Sequence, residues 1–200
     1  MLNDVPTLGR LIKSLQQVPY LASKNLYRVV SYVLTCDDAK IAQLCQALLD
    51  AKSNIKPCKY CYTWCEGNEL CSFCTSSKRD QTMICVVESW QELLAIEKTG
   101  GYQGVYHVLC GVICPLEGVG PEDLTIDLLL SRVAAGTVKE LIMATNQTPE
   151  GEATAAYIAS KLKDKDITIS CLARGIPVGS HLESMDRLTV YKALAERRPF

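Results

Sequence analysis

Apolar positions recur at helical spacing through the first third of the chain and in short unbroken runs through the rest. Within residues 7–17, Leu8, Leu11, Ile12 and Leu15 fall at i, i+3, i+4 and i+7, the stripe of an amphipathic helix. Thr7 offers its N-cap and Pro19 its stop. Ser23 is placed to cap a second helix running to about Leu34, with Leu26, Val29, Val30 and Val33 on its apolar face. Asp37 or Asp38 opens a third, with Ile41, Leu44, Cys45, Leu48 and Leu49 turned inward. After a polar linker, S-S-K-R-D-Q-T, the pattern changes. Residues 83–87 are an apolar run closed by Glu88, as expected of a buried strand. Ser89 and Glu92 make a capping box that opens a helix containing Leu93, Leu94 and Ile96, and Gly100-Gly101 ends it. A second strand is expected over 105–110. A Gly- and Pro-rich loop over 111–123 then leads to a helical stretch around 128–133. Residues 141–146 read as a third strand. Pro149, with Glu150 and Glu152 behind it, marks the start of a helix to about Lys163. A fourth strand spans 167–173, and a last helix runs over about 186–197. This alternation predicts a mostly parallel sheet with helices on both faces. Function belongs at the strands' carboxyl ends, where Glu88, Gly111, Asn146 and Arg174 gather.

The break between the helical part and the strand–helix part is filled by the run P-C-K-Y-C-Y-T-W-C-E-G-N-E-L-C-S-F-C. Its pairs Cys58/Cys61 and Cys71/Cys74 are both C-x-x-C. Two such turns offer four thiolates to one tetrahedral Zn²⁺, and the connection between them is long enough to reverse the chain. One structural zinc per chain, held by Cys58, Cys61, Cys71 and Cys74, is the expectation. A closed site of this kind holds a module together and does no chemistry. Cys65 is the alternative ligand, replacing Cys61 at C-x-x-x-C spacing at the cost of both regular pairs. Disulfides need an oxidising compartment. The start M-L-N-D-V-P-T-L-G-R lacks the basic and apolar regions of a signal peptide, and eleven cysteines is an odd number. Buried thiols in a cytoplasmic protein fit that usage.

At 48% hydrophobic and 22% charged residues, the composition is that of a globular chain with a real core. No apolar run approaches the length of a membrane span. The net charge of −1 decides nothing, but its distribution helps: residues 1–60 carry eight Lys/Arg against four Asp/Glu, and the remainder thirteen against eighteen. Contact with phosphates, if any part makes it, falls to the N-terminal third. Lys24 and Arg28, at i and i+4, share one helix face there; two such cations also suit a plain solvated face.

The order L-x-x-V-P-Y-L-A-S-K-N-L-Y-R resembles a helix–hairpin–helix DNA-binding element. Such hairpins use two glycines to bring backbone N–H groups up to a phosphate. Tyr20 and Ala22 stand at those positions, so the turn is a degenerate copy. The strand-end carboxylate Glu88 resembles the first acid of a Toprim site, in which a later Asp-x-Asp completes a Mg²⁺ cradle. That second position reads Thr145-Asn146-Gln147-Thr148, without an acid pair. Asp164-Lys165-Asp166 lies before the fourth strand, at the opposite rim. His107 sits mid-strand as a packed residue, and neither it nor His181 is placed beside a cysteine as a base. The chain reads as a non-enzyme.

Taken together, the degenerate hairpin, the C4 zinc module and the Toprim-like sheet resemble the recombination mediator protein RecR family. So do the strings S-K-R-D-Q, I-C-V-V-E, A-I-E-K-T-G-x-Y-x-G-x-Y-H-V-L, G-V-G-P-E-D-L, A-T-N-x-T-x-E-G-E-A-T-A and A-R-G-I-P-V-G. The resemblance covers essentially the whole chain. It implies four parts: a helix–hairpin–helix-like region over 1–56, a C4 zinc finger over 57–75, a Toprim-like α/β domain over 81–177 and a C-terminal oligomerisation segment over 178–200. It also implies a non-enzymatic role in DNA repair, acting with RecO and often RecF to load the recombinase RecA onto single-stranded DNA at gaps. The family forms ring-shaped homotetramers able to encircle single- or double-stranded DNA, so a cytoplasmic, nucleoid-associated location is implied. Lys24 and Arg28 match its DNA-contacting positions, and Glu88, Glu150 and Glu152 are candidates for docking a protein partner. The chain departs from the family at Tyr20 and Ala22, and again at Cys110-Gly111-Val112-Ile113-Cys114-Pro115-Leu116, where the family writes G-G-x-x-S-P-L. Two readings from other classes stand beside this one: a Toprim-type metal-dependent nuclease or primase-like enzyme, and a zinc-bearing adaptor that binds only proteins.

Overall fold

A computed structural model describes residues 5–21, 23–197 and 199, with Ser23 described by its backbone alone. The chain forms two compact units, Met1–Ile55 and Lys56–Phe200.

The first unit is helical: α1 (Pro6–Gln16), α2 (Ser23–Thr35) and α3 (Asp38–Asn54). Pro6 takes the first helical position of α1, so the helix begins ahead of Thr7, and Val5 rather than Thr7 is the N-cap. The Ser23 cap and the hairpin position of Ala22 lie outside the described residues. Asp37 does cap α3, accepting from the Ala39 N–H at 2.8 Å. Ile12, Leu26 and Val30 are the buried centre of this unit, with Leu8, Leu11, Leu15 and Leu21 packed around them. The α1 stripe and the α2 face therefore meet as their spacing requires.

One expectation is corrected here. The apolar residues of α3 do not point inward. None of its residues is buried, and Leu44, Leu48 and Leu49 are 49%, 64% and 66% exposed. The α1–α2 pair is already closed by its own leucines, which leaves the α3 stripe without a partner in the described chain. Tyr20, in turn, adopts the left-handed backbone its hairpin asks for, with φ at +66°. Its side chain is fully exposed, so no packing contact offsets the roughly 1–2 kcal/mol that a β-carbon costs in that region.

The second unit opens with a ribbon of β1 (Ile55–Pro57) and β2 (Trp64–Glu66), followed by a short helix α4 (Ser72–Thr75). The rest is β3 (Asp80–Val87), α5 (Trp90–Glu97), β4 (Gly104–Val108), α6 (Ile126–Ala134), β5 (Glu140–Met143), α7 (Pro149–Lys161), β6 (Thr168–Cys171) and α8 (Arg187–Ala195). The four long-range strands form one sheet in the order β4-β3-β5-β6, all parallel. Cys85 on the central strand faces Tyr106 on one side and Ile142 on the other.

Alternation along β3 builds both cores. Ile84 and Val86 pack with α6 (Ile126, Leu129, Val133) and α7 (Ile158) on one face. Cys85 and Val87 pack with Leu93 of α5 and Tyr106 on the other. Every residue of β4 is buried, as suits a strand covered on both sides. Truncating a fully buried leucine such as Leu129 to Ala would cost about 2–5 kcal/mol.

Strand limits differ from the sequence reading where side chains or turns take over the ladder. β3 begins at Asp80, inside the presumed linker, because the Asp80 N–H donates to the Gln103 carbonyl at 2.9 Å. β4 stops at Val108, as Cys110 turns left-handed at φ +66°. β5 stops at Met143, since the Asn146 N–H is given to a side chain rather than to a strand. α8 has Asp186 as its cap, accepting from the Thr189 N–H. Its Leu188, Tyr191 and Leu194 are exposed.

Candidate functional site

The ribbon and α4 bring four sulfurs together. Cys58, Cys61, Cys71 and Cys74 place their Sγ atoms all within 4.8 Å of one another. Cys58–Cys74 is 3.9 Å and Cys61–Cys71 is 3.3 Å. Four thiolates around a metal at about 2.3 Å stand on a tetrahedron whose edge is about 3.8 Å. The donor set and spacing thus suit a tetrahedral cation. The separations are far beyond the roughly 2.05 Å of a disulfide bond. Three of the four are buried, and Cys74 partly so.

Local backbone accounts for the geometry. The Tyr62 N–H donates to the Cys58 carbonyl at 3.0 Å, and the Cys58 N–H to the Thr63 carbonyl at 2.7 Å. The turn between them puts Tyr62 at φ +62°. The Cys71 N–H donates to Cys58 Sγ at 3.3 Å. Sharing a hydrogen bond with Cys61 holds the Cys71 thiol down to about 2, and the same bond drives the Cys61 thiol up.

Cys65 does not join the group. Its thiol donates to the Lys56 and Asn68 carbonyls, at 3.4 and 3.2 Å. Burial and the nearby sulfurs of Cys58 and Cys71 raise its pKa, which keeps that proton in place.

The cluster is spliced into the sheet. The Val108 N–H donates to the Cys61 carbonyl at 2.8 Å, and Phe73 of α4 lies edge-on to Tyr106, with ring centroids 5.3 Å apart. The Arg79 guanidinium sits over both rings and pairs with Glu97. Glu97 also accepts from the Tyr106 hydroxyl at 2.7 Å.

At the carboxyl rim, Glu88 meets Asn146. One carboxylate oxygen accepts from the Asn146 N–H and the other from its side-chain amide, both at 2.6 Å. Glu88 is therefore supplied with two N–H donors at the place where a Toprim enzyme would put a cation. Gly151 of α7 is packed against this pair; a β-carbon there would lie 2.2 Å from the Asn146 carbonyl oxygen and 2.8 Å from Glu88 Oε1. Thr148 caps α7 through the Gly151 N–H.

The other two acids differ. Glu152 is bound to Lys192 of α8 at 3.0 Å and to Arg174 at 3.3 Å, which holds its carboxyl below the usual range. Glu150 stands in the first turn of α7. Asp164 and Asp166 lie ahead of β6, on the opposite rim. His107 is completely buried. Its Nε2 lies 3.0 Å from both the Thr125 carbonyl and hydroxyl, and Arg132 approaches Nδ1 at 3.2 Å. Burial, helped by that guanidinium, holds its pKa at about 3, so it is a neutral core residue. Lys24 and Arg28 are both exposed on α2.

A feature the sequence reading missed lies beside the rim. Tyr62, Trp64, Glu88, Trp90 and Cys110 line a cleft of about 280 Å³. Two of the three non-glycine residues with left-handed backbone among the described residues, Tyr62 and Cys110, face it. The spacing of the cysteines gave no sign that their loop would fold back onto the rim.

A model of the Toprim domain matches residues 82–173, and one of the RecR C-terminal region matches 175–198. The Recombination protein RecR of Hahella chejuensis is 43% identical over 195 residues, which is 98% of this chain and 96% of that protein. The chain belongs to the RecR family. Relatives of the same name from Acidothermus cellulolyticus and Cytophaga hutchinsonii are 44% and 43% identical, covering 94% of this chain in each case. The RecR match thus spans the helical unit, the cysteine cluster and the sheet alike. Among the described residues, no helix is long and apolar enough to cross a membrane.

The Glu88–Asn146 pair gives a direct prediction. In Glu88→Gln the new amide group would oppose an Asn146 donor, and unfolding in denaturant should show a loss of about 1–3 kcal/mol that Mg²⁺ does not alter. A Glu88→Gln protein of unchanged stability that had lost a Mg²⁺-dependent rise in melting temperature would make Glu88 a metal ligand instead.

Proposed function

We propose that this chain is a non-enzymatic, DNA-binding recombination mediator in DNA repair, which acts with RecO, and with RecF as a further partner, to load RecA onto single-stranded DNA at gaps. The observation that carries this reading is the match to proteins named Recombination protein RecR over 98% of the chain. The rim supports the non-catalytic part. Asn146 and Thr148 stand where a Toprim enzyme needs two acids, and Glu88 is already satisfied by N–H donors. Among the described residues the nuclease or primase-like reading finds no acid set to hold its metal.

Within this reading the parts divide as the resemblance implies, with helical 1–56 for DNA, 57–75 as the zinc finger, 81–177 for partner docking and 178–200 for assembly. Lys24 and Arg28 reach phosphates from α2. Glu88, Glu150 and Glu152 mark the docking side, where Glu150 is the one with no hydrogen bond to its carboxylate among the described residues. The exposed apolar residues of α3 and α8 favour self-association into a homotetrameric ring. The ion in the cysteine cluster is Zn²⁺, held by Cys58, Cys61, Cys71 and Cys74. Four thiolates in a closed tetrahedral set are the usual ligands of structural zinc. Bound there, the ion supplies folding energy and no reaction chemistry.

Two measurements test these assignments. Replacing Lys24 and Arg28 by Ala should lower the slope of log affinity against log salt by about 1.4 on single strands or about 1.8 on duplex DNA. Unchanged binding across the salt series would remove the hairpin from the interface. Metal analysis of protein purified without chelator should find one zinc per chain, lost together with thermal stability in Cys71→Ser. Finding no stoichiometric zinc would overturn the metal assignment.

A further inference from the structure

From Val5 to Cys36 the chain has four cations, Arg10, Lys13, Lys24 and Arg28, and no acid. Two of them lie outside the hairpin helix. Arg10 and Lys13 sit at i and i+3 on α1, and with Gln16 and Tyr27 they line a groove of about 610 Å³ between α1 and α2. All four residues are exposed, Tyr27 by 58%. The Arg10 side chain also donates to the Thr7 hydroxyl at 3.3 Å, a neutral partner that leaves its charge uncompensated. Tyr27 follows Lys24 by three positions and precedes Arg28 by one. On a helix this puts it on the face of Lys24, with Arg28 about 100° further round, so one aromatic ring joins the α1 pair to Lys24.

We propose that this groove is a second nucleic-acid subsite, one that takes single-stranded DNA, with Arg10 and Lys13 on the phosphates and Tyr27 stacked on a base. The inference rests on the DNA-binding reading of Lys24 and Arg28 and adds residues and a strand preference to it. Two physical points decide the occupant. Four positive charges without a single acid attract a polyanion and disfavour a basic or neutral peptide. An exposed phenol ring set among cations offers a π-face that only an unstacked base can use, which separates single strands from duplex. The groove also bears on the hairpin. With Tyr20 in a glycine position, backbone N–H groups lose their close approach to a phosphate, and side-chain cations on α1 supply the contacts that the hairpin gives up.

Binding of a fluorescein-labelled oligothymidine, and of a duplex of equal length, should be followed by anisotropy across a salt series. The full-length protein is compared with Arg10→Ala/Lys13→Ala, Tyr27→Leu, Tyr27→Phe and Lys24→Ala/Arg28→Ala, each checked for native helix content. Losing Arg10 and Lys13 should lower the single-strand salt slope by about 1.4. Tyr27→Leu should weaken single-strand binding by about tenfold with the slope unchanged and duplex binding intact, and Tyr27→Phe should bind as the parent does. An unchanged slope in the α1 variant overturns the subsite, and so does a Tyr27→Leu protein that weakens on both DNA forms alike. If only the Lys24/Arg28 variant loses binding, the hairpin reading stands and the groove falls; if only the α1 variant does, the groove stands and the hairpin reading falls.

Discussion

One backbone hydrogen bond, from the Val108 N–H to the Cys61 carbonyl at 2.8 Å, ties the cysteine cluster to the sheet. It extends the end of β4 into the turn that carries two of the four sulfurs. Phe73, next to Cys74 of the second pair, reaches the same strand and packs on Tyr106. Arg79 then lies over both rings, its charge balanced by Glu97. The module is consequently an outgrowth of the sheet rather than a bead on a linker. Four sulfurs buried this closely need a cation to be stable as thiolates, and binding the metal is then part of folding this whole corner. Through the same turn, the cysteine cluster sets one wall of the aromatic cleft beside the rim.

The sheet keeps the Toprim outline while the electrostatics of its rim are inverted. In a Toprim enzyme a carboxylate at the end of this central strand shares in holding a divalent ion. Here both oxygens of Glu88 are engaged by one asparagine, and Gly151 leaves just the room α7 needs to close over the pair. An acid that would be costly next to two other acids becomes a structural acceptor once those positions are Asn146 and Thr148. Glu152 has gone the same way, neutralised by Arg174 and Lys192, so that it fastens α8 to α7.

Much of this was legible in the residues, and the failures have physical causes. Two C-x-x-C turns, the Ser89–Glu92 capping box and the unbroken apolar run of β3 are local signals, and each element formed where its signal stood. The apolar stripe of α3 was equally clear in spacing, yet its side chains are exposed, because periodicity reports an apolar face and not what covers it. The ribbon strands β1 and β2 have three residues each and no alternation to read. Asp80 looked like linker since its strand pairing is to the Gln103 carbonyl, a contact with no trace in local pattern. Tyr20 stands where the hairpin pattern has a glycine, and it takes the left-handed turn at the strain a β-carbon costs there, with its ring left in solvent. At the site itself, the cysteine spacing foretold the cluster, whereas nothing foretold that Asn146 would satisfy Glu88.

A corner gathered by four cysteines, a rim acid engaged by an asparagine and a basic helical unit together describe a protein that binds and delivers rather than one that cuts or copies. The most direct test is the rate at which RecA assembles on gapped DNA coated with single-strand-binding protein, measured with the RecO-type partner, with and without this chain, in the presence of Mg²⁺. Faster assembly that requires both proteins, with every DNA strand left intact, is the predicted result. Assembly indifferent to this chain, or Mg²⁺-dependent strand cleavage or synthesis in its presence, would contradict it.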